Sequence, residues 1–244
     1  MLASHNEQDA FPERLFVSVG EFKRLASIIV AVLGLASRIN GAPPTWDHLI
    51  PVDPEVEPDV RAAYQRKLFL TPADCARMLV RPPWMGEFAV SVYTVGSQSN
   101  ACHVTLTKAA DNIWYFLQHH GSGSGQIPID VSRYDVDVDC RDASDIKKIW
   151  ESMLRRMQPP SFSVELPVDG DVTEFLLDNR SPAAELPVNP GSDVARLKKI
   201  GLILARYCEA PLNERGRLVR NLRNEIRHLK TDLGISRASK RAHR

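Results

Sequence analysis

Several signatures that would decide a protein's chemistry at sight are missing from this chain of 244 residues. There is no CxxC pair. The four cysteines, Cys75, Cys102, Cys140 and Cys208, are scattered, and a zinc site draws its ligands from clusters, so none is indicated. Scattered single cysteines point to reduced thiols in a cytoplasmic protein, with two disulfides as the alternative if the chain is exported. No apolar run is long enough to cross a bilayer. The most apolar window, residues 25–36, holds about a dozen residues where a span needs roughly 20. Glu7, Asp9, Glu13 and Glu21 precede it, which is wrong for the basic start of a signal peptide. A buried core helix is the expectation there, and an export or membrane segment the alternative. A nucleophile elbow is missing too. Residues 121–125 read Gly-Ser-Gly-Ser-Gly, which puts Gly123 where the serine of GxSxG belongs, so His119 and His120 read as turn residues rather than a catalytic base. His48, His103 and His228 are isolated and suggest no metal set. The basic C-terminal part carries a single aromatic, Tyr207, too few for a base-stacking platform. Trp46, Trp84, Trp114 and Trp150 read as packing anchors.

What is present is a globular composition with polarised charge. Hydrophobic residues make up 43% and charged residues 25%, enough to bury a core and too apolar for general disorder. The formal net charge is only +1, yet residues 196–244 hold 14 Lys/Arg against 4 Asp/Glu, and residues 1–193 hold 17 against 26. A chain so divided either offers its basic part to an acidic partner or folds it back on its own acidic face.

Periodicity gives the elements. A short strand is expected at 15–19 and a buried helix at 21–38, followed by a proline- and acid-rich stretch. Val60, Ala63, Tyr64 and Leu68 recur at helical spacing. Thr71-Pro72-Ala73-Asp74 has the marks of a helix start, a hydroxyl cap with proline at the first helical position, and Pro82-Pro83 would end that second helix. Four strands are then expected at 87–95, 102–107, 112–120 and 127–139, joined by polar turns into an antiparallel meander. From Ser144, residues Ile146, Ile149, Trp150, Met153, Leu154 and Met157 form one helical face that would cover the sheet. Residues 161–191, with Pro167, Pro182, Pro187 and Pro190, read as a connector with a strand at 162–166 and a short helix near 172–177. Val194, Leu197, Ile200, Leu204 and Tyr207 mark a further helix, and another is expected from Asn213 to Leu233 with Gly234 as its stop. The fold class is α+β: a core domain at 1–160, the connector, and a basic helical unit at 192–244 with a disordered tail.

Two constellations carry possible chemistry. In the last helix, Val219, Leu222, Ile226, Leu229 and Leu233 form a coiled-coil-like seam, a candidate for homo-oligomer packing, although about two heptads are too few to dimerise alone. Arg220, Arg223, Arg227 and Lys230 repeat that spacing one residue later. With Arg217 and the tail cations Arg237, Lys240 and Arg241 they make a ridge suited to a polyanion, either nucleic acid or an acidic protein surface. A non-catalytic binding or assembly protein is the first reading.

The second constellation is Asp135-Val136-Asp137-Val138-Asp139, whose carboxylates share one face of a strand and repel unless offset by water, cations or a metal. Gly123-Ser124, followed eleven residues after the serine by Asp135-Val136-Asp137, resembles the nucleotidyltransferase signature of the DNA polymerase β superfamily. The resemblance covers about 45 residues and implies a Gly-Ser turn on nucleotide phosphate, with Asp135 and Asp137 binding Mg²⁺. Glu165 would be the third acid and Ser124 the phosphate contact. Against this enzyme reading stands that of an edge strand kept soluble by its aspartates.

Overall fold

The computed structural model describes residues 48–52, 57–70, 75–94, 101–121, 127–158, 171–177, 184–185 and 191–235. Among them are five helices: α1 (Pro58–Lys67), α2 (Ile113–His120), α3 (Cys140–Arg155), α4 (Asp193–Glu209) and α5 (Leu212–Asp232). Five longer strands form the body of an antiparallel sheet: β2 (Cys75–Arg81), β3 (Phe88–Thr94), β4 (Cys102–Ala109), β5 (Val131–Val138) and β6 (Val172–Leu177). The two-residue strands β1 (Ile50–Pro51) and β7 (Ala184–Glu185) extend it, giving the order β1-β7-β6-β2-β3-β4-β5. The chain is α+β, as its composition and patterning predict.

The sheet is the middle of three layers. On one face Met78, Val90, Val104, Val136 and Phe175 pack under α3, α4 and α5. Trp150 of α3 is buried there, edge-on to Phe175 at 5.4 Å, with its indole N–H donating to the Arg77 carbonyl at 3.2 Å. Helix α4 presses so closely that a Cβ at Gly201 would collide with the Met78 sulfur. The other face holds a smaller cluster of Leu79, Ala89 and Ala109 with Tyr64 and Leu68 from the α1 segment and Ile113 of α2. The two C-terminal helices are built into the main core: Leu197, Ile200 and Leu204 of α4 and Leu222, Ile226 and Leu229 of α5 belong to one apolar cluster with the sheet.

Several expectations are met with small shifts in boundary. The helix over Val60–Leu68, the strands β3 and β4, and both C-terminal helices stand where periodicity puts them. Gly234 follows α5 at φ 72, the left-handed stop that glycine accepts at no steric cost. β5 starts at Val131 rather than Ile127, and α3 starts at Cys140 rather than Ser144 because the Asp139 carboxylate accepts the Arg141 N–H and caps it. Three assignments are corrected. The helix placed after Thr71 is instead β2, whose residues Cys75 to Val80 are all buried. A strand covered on both faces loses its alternation and reads as a plain apolar run, indistinguishable from a buried helix. The run 112–120 is α2, not the third strand of a meander. The Asn112 side chain accepts the Tyr115 N–H, and the buried Glu87 carboxylate accepts those of Ile113 and Trp114 at 2.7 and 2.9 Å. The short helix near 172–177 is β6, paired antiparallel with β2. The expectations at 15–19, 21–38 and 162–166 lie outside the described residues.

The cysteines also need correction. Cys102 at the start of β4 and Cys140 at the first position of α3 form a disulfide, while Cys75 and Cys208 are buried thiols outside it, Cys75 accepting from Arg77 Nη2 at 3.0 Å. Burial pushes the Cys208 thiol up to about 12. No helix among the described residues is long and apolar enough to cross a membrane.

Candidate docking face on the last helix

Helix α5 has two sides with different work. Its seam faces inward, with Leu222, Ile226, Leu229 and Leu233 buried against α3 and α4 and Val219 half-buried beside them. The seam proposed for homo-oligomer packing is therefore filled by the chain's own core. A helical turn of 3.6 residues then forces the cations one position along to the flank and the outer side.

The basic ridge divides accordingly. Arg223 turns toward α3, donating from Nε to Asp142 at 2.8 Å and from Nη2 to Asp139 at 3.0 Å. Hydrogen bonding to Asp142 holds this guanidinium above its ordinary pKa. Lys230 meets Asp145 at 2.7 Å. Two ridge cations are thus matched to three carboxylates at the start of α3. Lys199 and Arg196 of α4 pair likewise with Glu225 and Asp232 of α5, both at 2.6 Å. What remains on the outer side is Arg217, Arg220 and Arg227, all exposed. Among the described residues Arg217 has only Glu214 of its own helix at 3.6 Å, and Arg227 donates to Asn224 at 3.3 Å. Arg220 has no polar side-chain partner among the described residues. Asn221, Asn224 and His228 complete this exposed stripe. Arg237, Lys240 and Arg241 lie outside the described residues. A cleft of about 360 Å³ runs between α3 and α5, lined by Asp139, Arg141, Asp142, Asp145, Arg223, Arg227 and Lys230 among others.

The acidic strand has a different geometry from the one its spacing suggests. β5 is an edge strand, and Asp135 and Asp137 share its face opposite the main core, across from Thr105 and His103 of β4. Arg133 clamps Asp135 at 2.7 and 3.0 Å, and the Thr105 hydroxyl donates to the same carboxylate. Arg133 first, then Thr105, holds the Asp135 carboxyl below the ordinary carboxylate range. Asp137 is 90% exposed and lies 2.9 Å from His103 Nδ1. Asp139 falls past the strand end and serves α3 as its cap, so the third carboxylate leaves the row. Both oxygens of Asp135 are taken and a guanidinium stands where a divalent ion would have to sit, so this pair does not fit a Mg²⁺ site. Glu165 and Ser124 lie outside the described residues, and no set of three His, Cys, Asp or Glu arranged to hold a metal occurs among those described. His119 and His120 engage the carbonyls of Tyr115 and Phe116 through Nδ1 at 2.9 and 3.0 Å.

No protein-family model, curated protein or solved structure matches this chain.

The sequence reading missed a buried polar network on the α1–α2 side of the sheet. Glu174 of β6 takes Arg61 at 3.1 Å and Arg81 at 3.3 Å, and Arg81 reaches on to Glu57 at 3.1 Å. Glu57 accepts the Trp114 indole N–H at 2.6 Å. Tyr64 donates to Glu87 at 3.1 Å, and burial drives its hydroxyl pKa far above the usual value. The network joins α1, α2, the strands β2 and β6 and the residue just before β3, which is a structural task. Its only trace in sequence is charged residues inside otherwise apolar runs, such as Glu174 within 172–177.

Proposed function

We propose that this is a non-catalytic binding or assembly protein that docks on a polyanion, nucleic acid first and an acidic protein surface second, through the outer side of α5 and the basic residues beyond it. The observation that carries this reading is the sorting of the cations. Arg223 and Lys230 are spent on α3, whereas Arg217, Arg220 and Arg227 stay exposed along one stripe and form no ion pair with a carboxylate of another element among the described residues, although Arg227 also lines the cleft beside the α3 carboxylates. Exposed arginines on one side of a helix donate two hydrogen bonds each to backbone phosphates without reading sequence. Arg237, Lys240 and Arg241 extend the same charge.

Fluorescence anisotropy with labelled DNA and RNA over a salt series tests the reading. Binding should be insensitive to sequence and weaken steeply with salt. Replacing Arg217, Arg220 and Arg227 together by alanine should lower the salt slope by about 3, roughly one per lost phosphate contact. Tight binding of an acidic protein with none of either nucleic acid at low salt would move the assignment to the second partner.

A further inference from the structure

Helices α4 and α5 pack side by side and antiparallel, and the ion pairs Lys199–Glu225 and Arg196–Asp232 set their register. A groove of about 440 Å³ runs along this junction. Its floor is apolar: Ile203 and Leu218 are buried there, and Leu202 is left 36% exposed. Asn221 and Asn224 of α5 stand on one wall, and Lys199 and Arg206 of α4 on the other. Glu225 also lines the groove, but Lys199 already offsets its charge at 2.6 Å. Arg206 is exposed and has no ion pair among the described residues. Arg217 lies four residues before Asn221, about one helical turn, and so on the same side of α5. The groove is therefore cationic at the end flanked by Arg206 and Arg217, with an exposed aliphatic side chain along its floor.

We infer that this groove seats one strand of single-stranded nucleic acid, with Arg206 of α4 as a phosphate contact beyond the arginines of α5. The inference rests on the docking reading above and names the class of its partner. Charge and shape select the occupant. The unpaired guanidinium of Arg206 suits a phosphate, and the exposed Leu202 suits an apolar surface carried beside it. A nucleotide offers both, since each base has an apolar face next to a charged backbone. A double helix offers only the second half of that pair, because its base faces are stacked inside. Nor does a double helix enter a furrow between packed helices, whose axes lie about 8–10 Å apart. The bases of a single strand splay out and reach such a floor. Asn221 and Asn224 each bring an amide donor and acceptor for sugar hydroxyls and phosphates, which carry no sequence information. Among the described residues no aromatic side chain lines the groove, so the phosphates supply most of the affinity.

The test is anisotropy of the full chain with a labelled oligothymidine strand, an oligouridine strand and a mixed-sequence DNA duplex, each over a salt series. Arg206→Ala should lower the salt slope for both single strands by about 0.7, one phosphate contact on a single strand, and leave the duplex slope unchanged. Arg206→Lys keeps the charge and should restore the slope. Leu202→Glu puts a carboxylate on the groove floor and should weaken single-strand binding by about tenfold or more, with duplex binding retained. Thermal melts of all three variants should match the parent, since both side chains reach solvent. Single-strand binding untouched by Arg206→Ala and by Leu202→Glu would overturn the groove. Duplex binding that loses slope in the Arg217→Ala/Arg220→Ala/Arg227→Ala variant, with no single-strand binding, would also overturn it and leave the docking reading standing. Absence of binding to all three probes at low salt would overturn the docking reading itself.

Discussion

Glu87 shows how much one buried residue can decide. Its fully buried carboxylate accepts the amides of Ile113 and Trp114 and the hydroxyl of Tyr64, so it caps α2 and ties that helix to β3 and α1. Replacing it with alanine leaves two buried amides and a hydroxyl without a partner. Glu87→Ala should lower the free energy of unfolding in urea by about 3 kcal/mol or more, whereas Tyr64→Phe, which removes only one donor, should cost about 1 kcal/mol. Nothing in sequence marks Glu87 as a cap, because it stands 26 residues before the helix it serves. Asp135 is a second instance. Its spacing with Asp137 suggests a metal pair, and the structure gives it to Arg133, two residues away on the same strand face. Because its folded pKa lies below the ordinary value near 4, the stability it adds is complete above that range and lost as pH falls through the depressed value. Asp135→Asn should therefore flatten the decline of Tm below about pH 4 and lower Tm modestly at neutral pH.

Legibility in the sequence follows burial at the scale of the elements. Helices half in water kept their 3.6 period. Ile146, Ile149, Trp150 and Met153 announce α3, and Leu222, Ile226 and Leu229 announce α5, because the opposite face of each stays polar. β3 and β4 were legible by alternation and by the turn between them. β2 was not, since both its faces are covered, and the apolar-aromatic run of α2 reads as a strand because nothing in it is charged or strongly polar before Gln118. The candidate docking residues were legible as a set, but not their division. Which cations pair inward depends on α3 lying beside α5, a contact between residues some 80 positions apart, as in the 81-residue separation of Arg223 and Asp142. The central packing element is α3, and Trp150 is its largest buried side chain. Trp150→Ala should cost about 3–5 kcal/mol by calorimetry or denaturant titration, through the cavity it leaves against Phe175.

The charge segregation of the whole chain is resolved in two ways at once. Part of the basic surplus folds back on the acidic start of α3, and part remains on the outer side of α5. That outer side is carried by a rigid core, since α5 shares one apolar cluster with the sheet, α3 and α4. A docking face mounted this way spends little ordering entropy on binding. The most direct test is the salt dependence of DNA binding, compared between the full chain and its Arg217→Ala/Arg220→Ala/Arg227→Ala variant at unchanged thermal stability. The account predicts a log–log slope lowered by about 3 in magnitude and weaker binding to every sequence alike. An unchanged slope with unchanged affinity would contradict it, because the exposed arginines of α5 would then engage no phosphate.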